Sequence, residues 1–343
     1  MKKKVCILYT GGTIGMVLTD RGYAPKKGYF RSLLDEIVQL RYDDMPDWDL
    51  VEFDPLLDSS DVSVDEWNSI GQAISDRYND YDGFVILHGT DTMAYSASAL
   101  SFMLEGLSKP VVFTGSQIPM CEVRSDGRDN LINSLLIASQ GIANEVSIFF
   151  AEKLIRGNRA TKTSADDLIA FTSPNYPPLA EVGIDIRYSK RALAMPEQAG
   201  ELMLRRMEHI PIAVLKLFPG MRFDLFEPLV TNDMKAVILE AFGSGNIPSR
   251  NTALIDSIRR ASENGSIVAV CSQCYAGTAR LGTYATSGEL KDYGAVSCRD
   301  MTTEAAVAKL YYLFSLNLDR GALTRALETN LRGEMTIVNN RNM

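Results

Sequence analysis

The feature that most constrains this chain is a series of short, nearly uninterrupted apolar runs. They are Val5–Tyr9, Phe84–Leu87, Val111–Phe113, Val146–Phe150, Ile212–Leu217, Val237–Leu239 and Ile267–Val270. A strand with one face in water alternates polar and apolar side chains, whereas a strand covered on both faces has no such need. Segments of helical period separate the runs, so the pattern predicts parallel strands with helices on both faces, an α/β class. Asp91–Leu107 carries its apolar residues on one stripe and is stopped by Lys109-Pro110, and Asn130–Ala143 behaves similarly. Helices over Thr303–Leu316 and Thr324–Leu331 are expected to close the second half.

The stretch Tyr188–Pro211 has neither strand nor helix periodicity and contains Pro196, Gly200 and Pro211. We therefore expect an N-terminal α/β catalytic domain over 1–187, a linker over 188–211 and a C-terminal α/β domain over 212–343. The larger, N-terminal domain should hold a mostly parallel, doubly wound sheet of Rossmann or flavodoxin type. A chain of 343 residues is long enough for two such cores. Lysine plus arginine number 35 against 43 acidic residues, a net charge of -8. That balance argues against a broad nucleic-acid footprint and offers no attraction to an anionic membrane surface. Lys2–Lys4 before Val5–Tyr9 superficially resembles a signal peptide, but the apolar run is too short, and no stretch approaches the ~20 apolar residues of a membrane span. Five cysteines make a poor disulfide framework, so a reducing cytoplasm is the expected compartment.

In an open parallel sheet, ligands bind past the carboxyl ends of the strands, and three polar, glycine-bearing segments stand there. Thr10-Gly11-Gly12-Thr13-Ile14-Gly15 follows the first run, His88-Gly89-Thr90-Asp91-Thr92 the second, and Thr114-Gly115-Ser116-Gln117 the third. The first could be a plain tight turn or a phosphate cradle, although its glycines read GGxxG rather than the dinucleotide GxGxxG, and no GxxxxGK occurs. Thr90 and Asp91 have two readings at this stage: helix caps, or a hydroxyl and carboxylate aimed at a ligand.

TGGTIG and HGTDT together resemble the two signature motifs of the L-asparaginase family, with a likeness to the cytosolic, type I bacterial members. Asp58-Ser59-Ser60-Asp61, Arg124-Ser125-Asp126-Gly127, Arg159-Ala160-Thr161-Lys162 and Gly243-Ser244-Gly245-Asn246 extend the likeness over most of the chain. The resemblance implies hydrolysis of L-asparagine to L-aspartate and ammonia, with no metal or organic cofactor, in a dimer or dimer of dimers. It implies two catalytic groups, Thr13 with Tyr23 and Thr90 with Asp91 and Lys162. Asp58, Ser59 and Ser60, with Thr90 and Asp91, would hold the amino-acid end of the substrate. Asn246 matches a position that reaches a neighbouring subunit's site. Amide hydrolysis through a threonine needs a base, a polarised carbonyl and a proton for the departing ammonia. The two histidines, His88 and His209, offer no triad, and the resemblance makes Lys162 the base candidate for the Thr90 group. Tyr23 sits between turn residues, as a lid would.

Some cytosolic members carry a second asparagine site, and the resemblance places Thr161 and Cys274 there. Where an effector-binding arginine is expected this chain has Glu240, which reverses the charge that would pair with an effector carboxylate. Cys271-Ser272-Gln273-Cys274 has the CxxC spacing of redox and zinc sites, but zinc needs two further ligands and no second pair appears. The readings that compete are a glutaminase preference, an ammonia-releasing subunit of transfer-RNA amidation, and a catalytically inactive small-molecule-binding module. The amidation subunit normally carries an extra N-terminal domain, for which TGGTIG at residue 10 leaves no room.

Overall fold

A computed structural model describes residues 2–193, 200–226, 233–282 and 285–337. Its contacts divide the chain into two compact units, Met1–Arg206 and Met207–Met343. Within the segment read as a linker, 194–199 lie outside the described residues.

In the first unit, β1 (Lys4–Gly11) leads into a hairpin of β2 (Met16–Thr19) and β3 (Gly22–Pro25). The long β4 (Asp47–Leu57) follows, then β5 (Gly83–Leu87), the two-residue β6 (Leu104–Glu105), β7 (Val111–Thr114), β8 (Val146–Phe150) and β9 (Lys153–Arg156). Short strands complete the unit: β10 (Thr161–Lys162) with β11 (Phe171–Thr172), β12 (Ala180–Val182) with β13 (Ile186–Tyr188), and β14 (Met203–Leu204), which pairs with β6. The central sheet runs β13-β12-β9-β8-β7-β5-β1-β4. It is parallel from β8 to β4 and antiparallel from β8 to β13.

The apolar runs are the interior strands of this sheet, and both of their faces are covered. Val5, Ile7 and Tyr9 join Phe30, Leu33, Leu131 and Leu135 from the helices Tyr29–Glu36 and Gly127–Gln140. Cys6 and Leu8, on the opposite face, are equally buried. Strand β4 escaped the sequence pattern because it lies at the sheet edge and is only half-buried, so Trp48 and Leu50 pack inward while Asp47 and Asp49 interrupt the apolar run. The helix read over Asp91–Leu107 is shorter, Met93–Met103.

In the second unit, β15 (Ile212–Lys216), β16 (Ala236–Ala241), β17 (Ile267–Ser272) and β18 (Val296–Ser297) form a four-stranded, all-parallel sheet in that order. Helices span Thr252–Glu263, Ala285–Asp292, Thr303–Ser315 and Arg320–Leu327. The last begins four residues before the Thr324 expected, because the Asp319 carboxylate accepts the Ala322 amide at 2.8 Å and caps it. It stops where the fully buried Lys309 ammonium donates to Leu327 O at 2.9 Å and Thr329 O at 2.6 Å. The third Lys309 proton meets the equally buried Glu334 carboxylate at 2.6 Å. Removing one partner of a buried pair leaves an uncompensated charge. Glu334→Ala should therefore cost about 3–5 kcal/mol in urea unfolding, and a loss below about 1 kcal/mol would show that the pair is not held as described.

Candidate active site

Three sequence-distant loops meet here backbone to backbone. Gly11 and Gly12 have φ of +136° and +89°, a region that side chains disfavour. A Cβ on Gly12 would stand 2.5 Å from the Gly89 amide nitrogen, and one on Gly11 would stand 2.2 Å from Leu57 O. On Gly89 a Cβ would strike Ser59 Oγ at 2.4 Å. The missing side chains let the end of β1 lie directly on the end of β5 and beside the start of the Asp58–Ser60 segment. Thr10 Oγ1 adds a bond to Leu87 O at 2.8 Å.

The side chains of Thr90, Asp91 and Lys162 meet at the rim. Lys162 Nζ donates to Thr90 Oγ1 at 2.9 Å and to Asp91 Oδ1 at 2.7 Å. The Asp91 side chain is 63% exposed and that of Lys162 20%, so a carboxylate faces solvent while the ammonium is largely withdrawn. Thr90 in turn donates to Gln117 Oε1 at 3.3 Å. Gln117 lies in the third strand-end motif, yet nothing in the motif itself signals this bond; its position follows from β7 lying beside β5. Neither Thr90 nor Asp91 caps the helix: Met93–Met103 begins after Thr92, whose hydroxyl donates to Ser59 O at 2.7 Å.

Thr13 opens a one-turn 3₁₀ segment just past β1 and is partly exposed. No hydrogen bond of its hydroxyl occurs among the described residues. Tyr23 lies on β3, 44% exposed, and its hydroxyl donates to Glu122 Oε1 at 2.7 Å. That bond holds the phenol protonated and raises its pKa. The Asp58 carboxylate accepts the Ser60 amide at 2.9 Å and the Ser60 hydroxyl at 2.8 Å, which keeps it below the usual carboxylate range.

His88 is wholly buried behind this rim. Its Nδ1 faces Gly89 O at 2.7 Å, and a carbonyl can only accept, so Nδ1 carries the proton. Its Nε2 accepts from Ser96 Oγ at 3.0 Å, which accepts from Trp67 Nε1 at 3.1 Å. Through this chain His88 ties the Gly89 loop to the Ser96 and Trp67 side chains.

Thr161 precedes Lys162 on β10. In the second unit, Asn246 exchanges two backbone bonds with Phe242, and Glu240 Oε1 accepts from Thr303 Oγ1 at 2.6 Å. Cys271 is buried beside Cys298, whereas Cys274 is exposed, so the two sulfurs of the CxxC spacing point to different environments. Among the described residues no group of three histidine, cysteine or carboxylate side chains could hold a metal ion.

Two α/β units, one presenting hydroxyl, carboxylate and ammonium groups past its strand ends, define a class of enzymes that bind small molecules at the rim of an open sheet. The family model described as "Asparaginase, N-terminal" matches residues 4–194, and "Glutaminase/Asparaginase C-terminal domain" matches residues 211–327. "L-asparaginase 1" of Escherichia coli K12 is 46% identical over 335 residues, covering 98% of both chains. Crystalline L-asparaginase I from Vibrio cholerae superposes with a TM-score of 0.91 at 43% identity, covering 98% of this chain and all of that one. The thermostable L-asparaginase from Thermococcus kodakarensis gives 0.88 at 30% identity, with the same coverage. The chain belongs to the asparaginase family.

Burial pushes the His88 pKa down to about 4 from the usual 6.5. The unfolded chain then binds the extra proton first, so stability is full above pH 6.5 and lost as pH falls toward 4. The expected loss is about 3 kcal/mol, read from urea midpoints across that window. His88→Gln should flatten the slope, and an unchanged slope would assign it to other groups.

Proposed function

We propose that this protein is an enzyme that hydrolyses L-asparagine to L-aspartate and ammonia. The observation that carries the reading is the Thr90–Lys162–Asp91 cluster at the sheet rim, in a chain 46% identical along its length to an L-asparaginase. Thr13 attacks the side-chain amide carbon, the carbon–nitrogen bond breaks, and ammonia leaves with the threonine proton, giving a β-aspartyl ester. Water activated at Thr90 and Lys162 then cleaves the ester, returning the hydroxyl to Thr13. Backbone amides at Gly11, Gly12 and Thr90 face the developing oxyanion, a contribution whose loss typically costs about 10²–10³ in rate. Asp91 receives the substrate ammonium, and Ser59 and Ser60 receive its carboxylate. Tyr23 closes over Thr13.

In this reading the enzyme works in the cytoplasm as a dimer or dimer of dimers, with Asn246 completing a neighbour's site. No helix among the described residues is long and apolar enough to cross a membrane. Ammonia release should be measured from L-asparagine and L-glutamine side by side. Asparagine should dominate, and Thr13→Ala and Lys162→Met should each lower turnover by at least about 10³-fold. Full turnover in Thr13→Ala would remove it as the nucleophile. Release mainly from glutamine would move the specificity by the roughly 1–3 kcal/mol that one methylene supplies.

Glu240 presents a carboxylate already engaged by Thr303, where a second asparagine would need a cation. The rate should therefore rise hyperbolically with asparagine concentration, and a sigmoidal curve would show an effector site of another construction.

A further inference from the structure

The hydrogen bonds of the 115–126 segment tie the two threonine groups together. Gln117 accepts from Thr90 and anchors its own amide nitrogen on Ala165 O at 3.0 Å and Asp167 O at 3.1 Å. Met120 N donates to Ile14 O at 3.1 Å, one residue beyond Thr13, and Cys121 Sγ meets Met16 O, at the start of β2, at 3.5 Å. Next in sequence, the Glu122 carboxylate receives the Tyr23 hydroxyl. The segment is closed on itself: the Asp126 carboxylate accepts the amides of Gln117 and Ile118 and the Asn130 side chain, and Ser125 Oγ donates to Ile118 O at 2.8 Å.

The hairpin it reaches is weak by itself. Two strands of four residues bury little apolar surface, and Leu18 opposite Tyr23 is 68% exposed. Packing therefore does little to fix where the phenol stands, and a bond to a charged acceptor on a braced loop does more.

We propose that Glu122 is a positioning residue: its carboxylate sets the place of the Tyr23 phenol, and through the 115–126 segment it joins the hairpin to the frame that holds Gln117 on Thr90. Glu122 acts through Tyr23 and touches no reacting atom. The inference rests on the reading of Tyr23 as the lid over Thr13.

The test compares the full-length wild type, Glu122→Ala, Glu122→Gln, Tyr23→Phe and the double variant Glu122→Ala/Tyr23→Phe. Amide hydrogen exchange is followed across residues 16–25, and kcat and KM are measured with L-asparagine. In Glu122→Ala, hairpin exchange should quicken and kcat fall, each by about tenfold, the effect of one charge-assisted hydrogen bond. KM should change less than kcat, and exchange elsewhere should hold. Glu122→Gln keeps an acceptor oxygen and should recover part of both losses. In the Tyr23→Phe background, Glu122→Ala should cost no more than about twofold further, since the two groups act as one unit. Unchanged hairpin exchange in Glu122→Ala, or full additivity with Tyr23→Phe, would overturn the proposal. A wild type that releases no ammonia from asparagine would instead defeat the functional reading, and the exchange comparison would still decide whether Glu122 holds the hairpin.

Discussion

The site depends on one contact between backbones: Gly12 lying on Gly89, with no side chain on either to keep them apart. Parallel pairing already sets β1 beside β5, but ordinary residues at the strand ends would separate the two loops by the width of a side chain. Glycine brings the Thr13 turn onto the Thr90 loop, and Gly89 then admits Ser59 from the far side of β1. Gly115 repeats the device against His88 O, where a Cβ would stand 2.5 Å away, and so draws the Gln117 loop in. Four loops from four neighbouring strands thereby share one small volume.

Charge is distributed around this contact according to what each position allows. Behind the rim, His88 is neutral and spends its polar atoms on a chain running from Trp67 to Gly89 O, which fixes the loop without burying a charge. At the rim, Lys162 and Asp91 remain partly open to water and available to a ligand. The buried ions elsewhere, Arg156 with Glu145 and Lys309 with Glu334, are closed by additional bonds to backbone carbonyls or amides, which suits anchoring and leaves them no vacancy for chemistry.

The hairpin that carries Tyr23 is built differently. It is short and exposed and lies outside the main sheet. Its tyrosine is set by a single side-chain bond, whereas Thr90 is set by a packed strand end. In the proposed reading of Tyr23 as a lid, that contrast suits its part: the rim holds its geometry, and the cover is free to change.

The α/β class and the interior strands were legible in the sequence because strands covered on both faces must be apolar throughout, and that leaves continuous runs such as Phe84–Leu87. Thr13, Thr90, Asp91 and Lys162 were singled out through the resemblance of their motifs to the asparaginase family, not from residue type alone. Strand β4 was not legible, since an edge strand needs only alternate apolar residues, and neither was the choice between capping and ligand roles for Asp91. Tertiary structure alone decided that Gln117 meets Thr90 and that Glu122 holds Tyr23, and it gave the Lys162–Asp91 grouping its bond across 71 positions. Each of those bonds joins residues whose local sequence satisfies other structures equally well, and only the order of strands in the sheet brings the partners within reach.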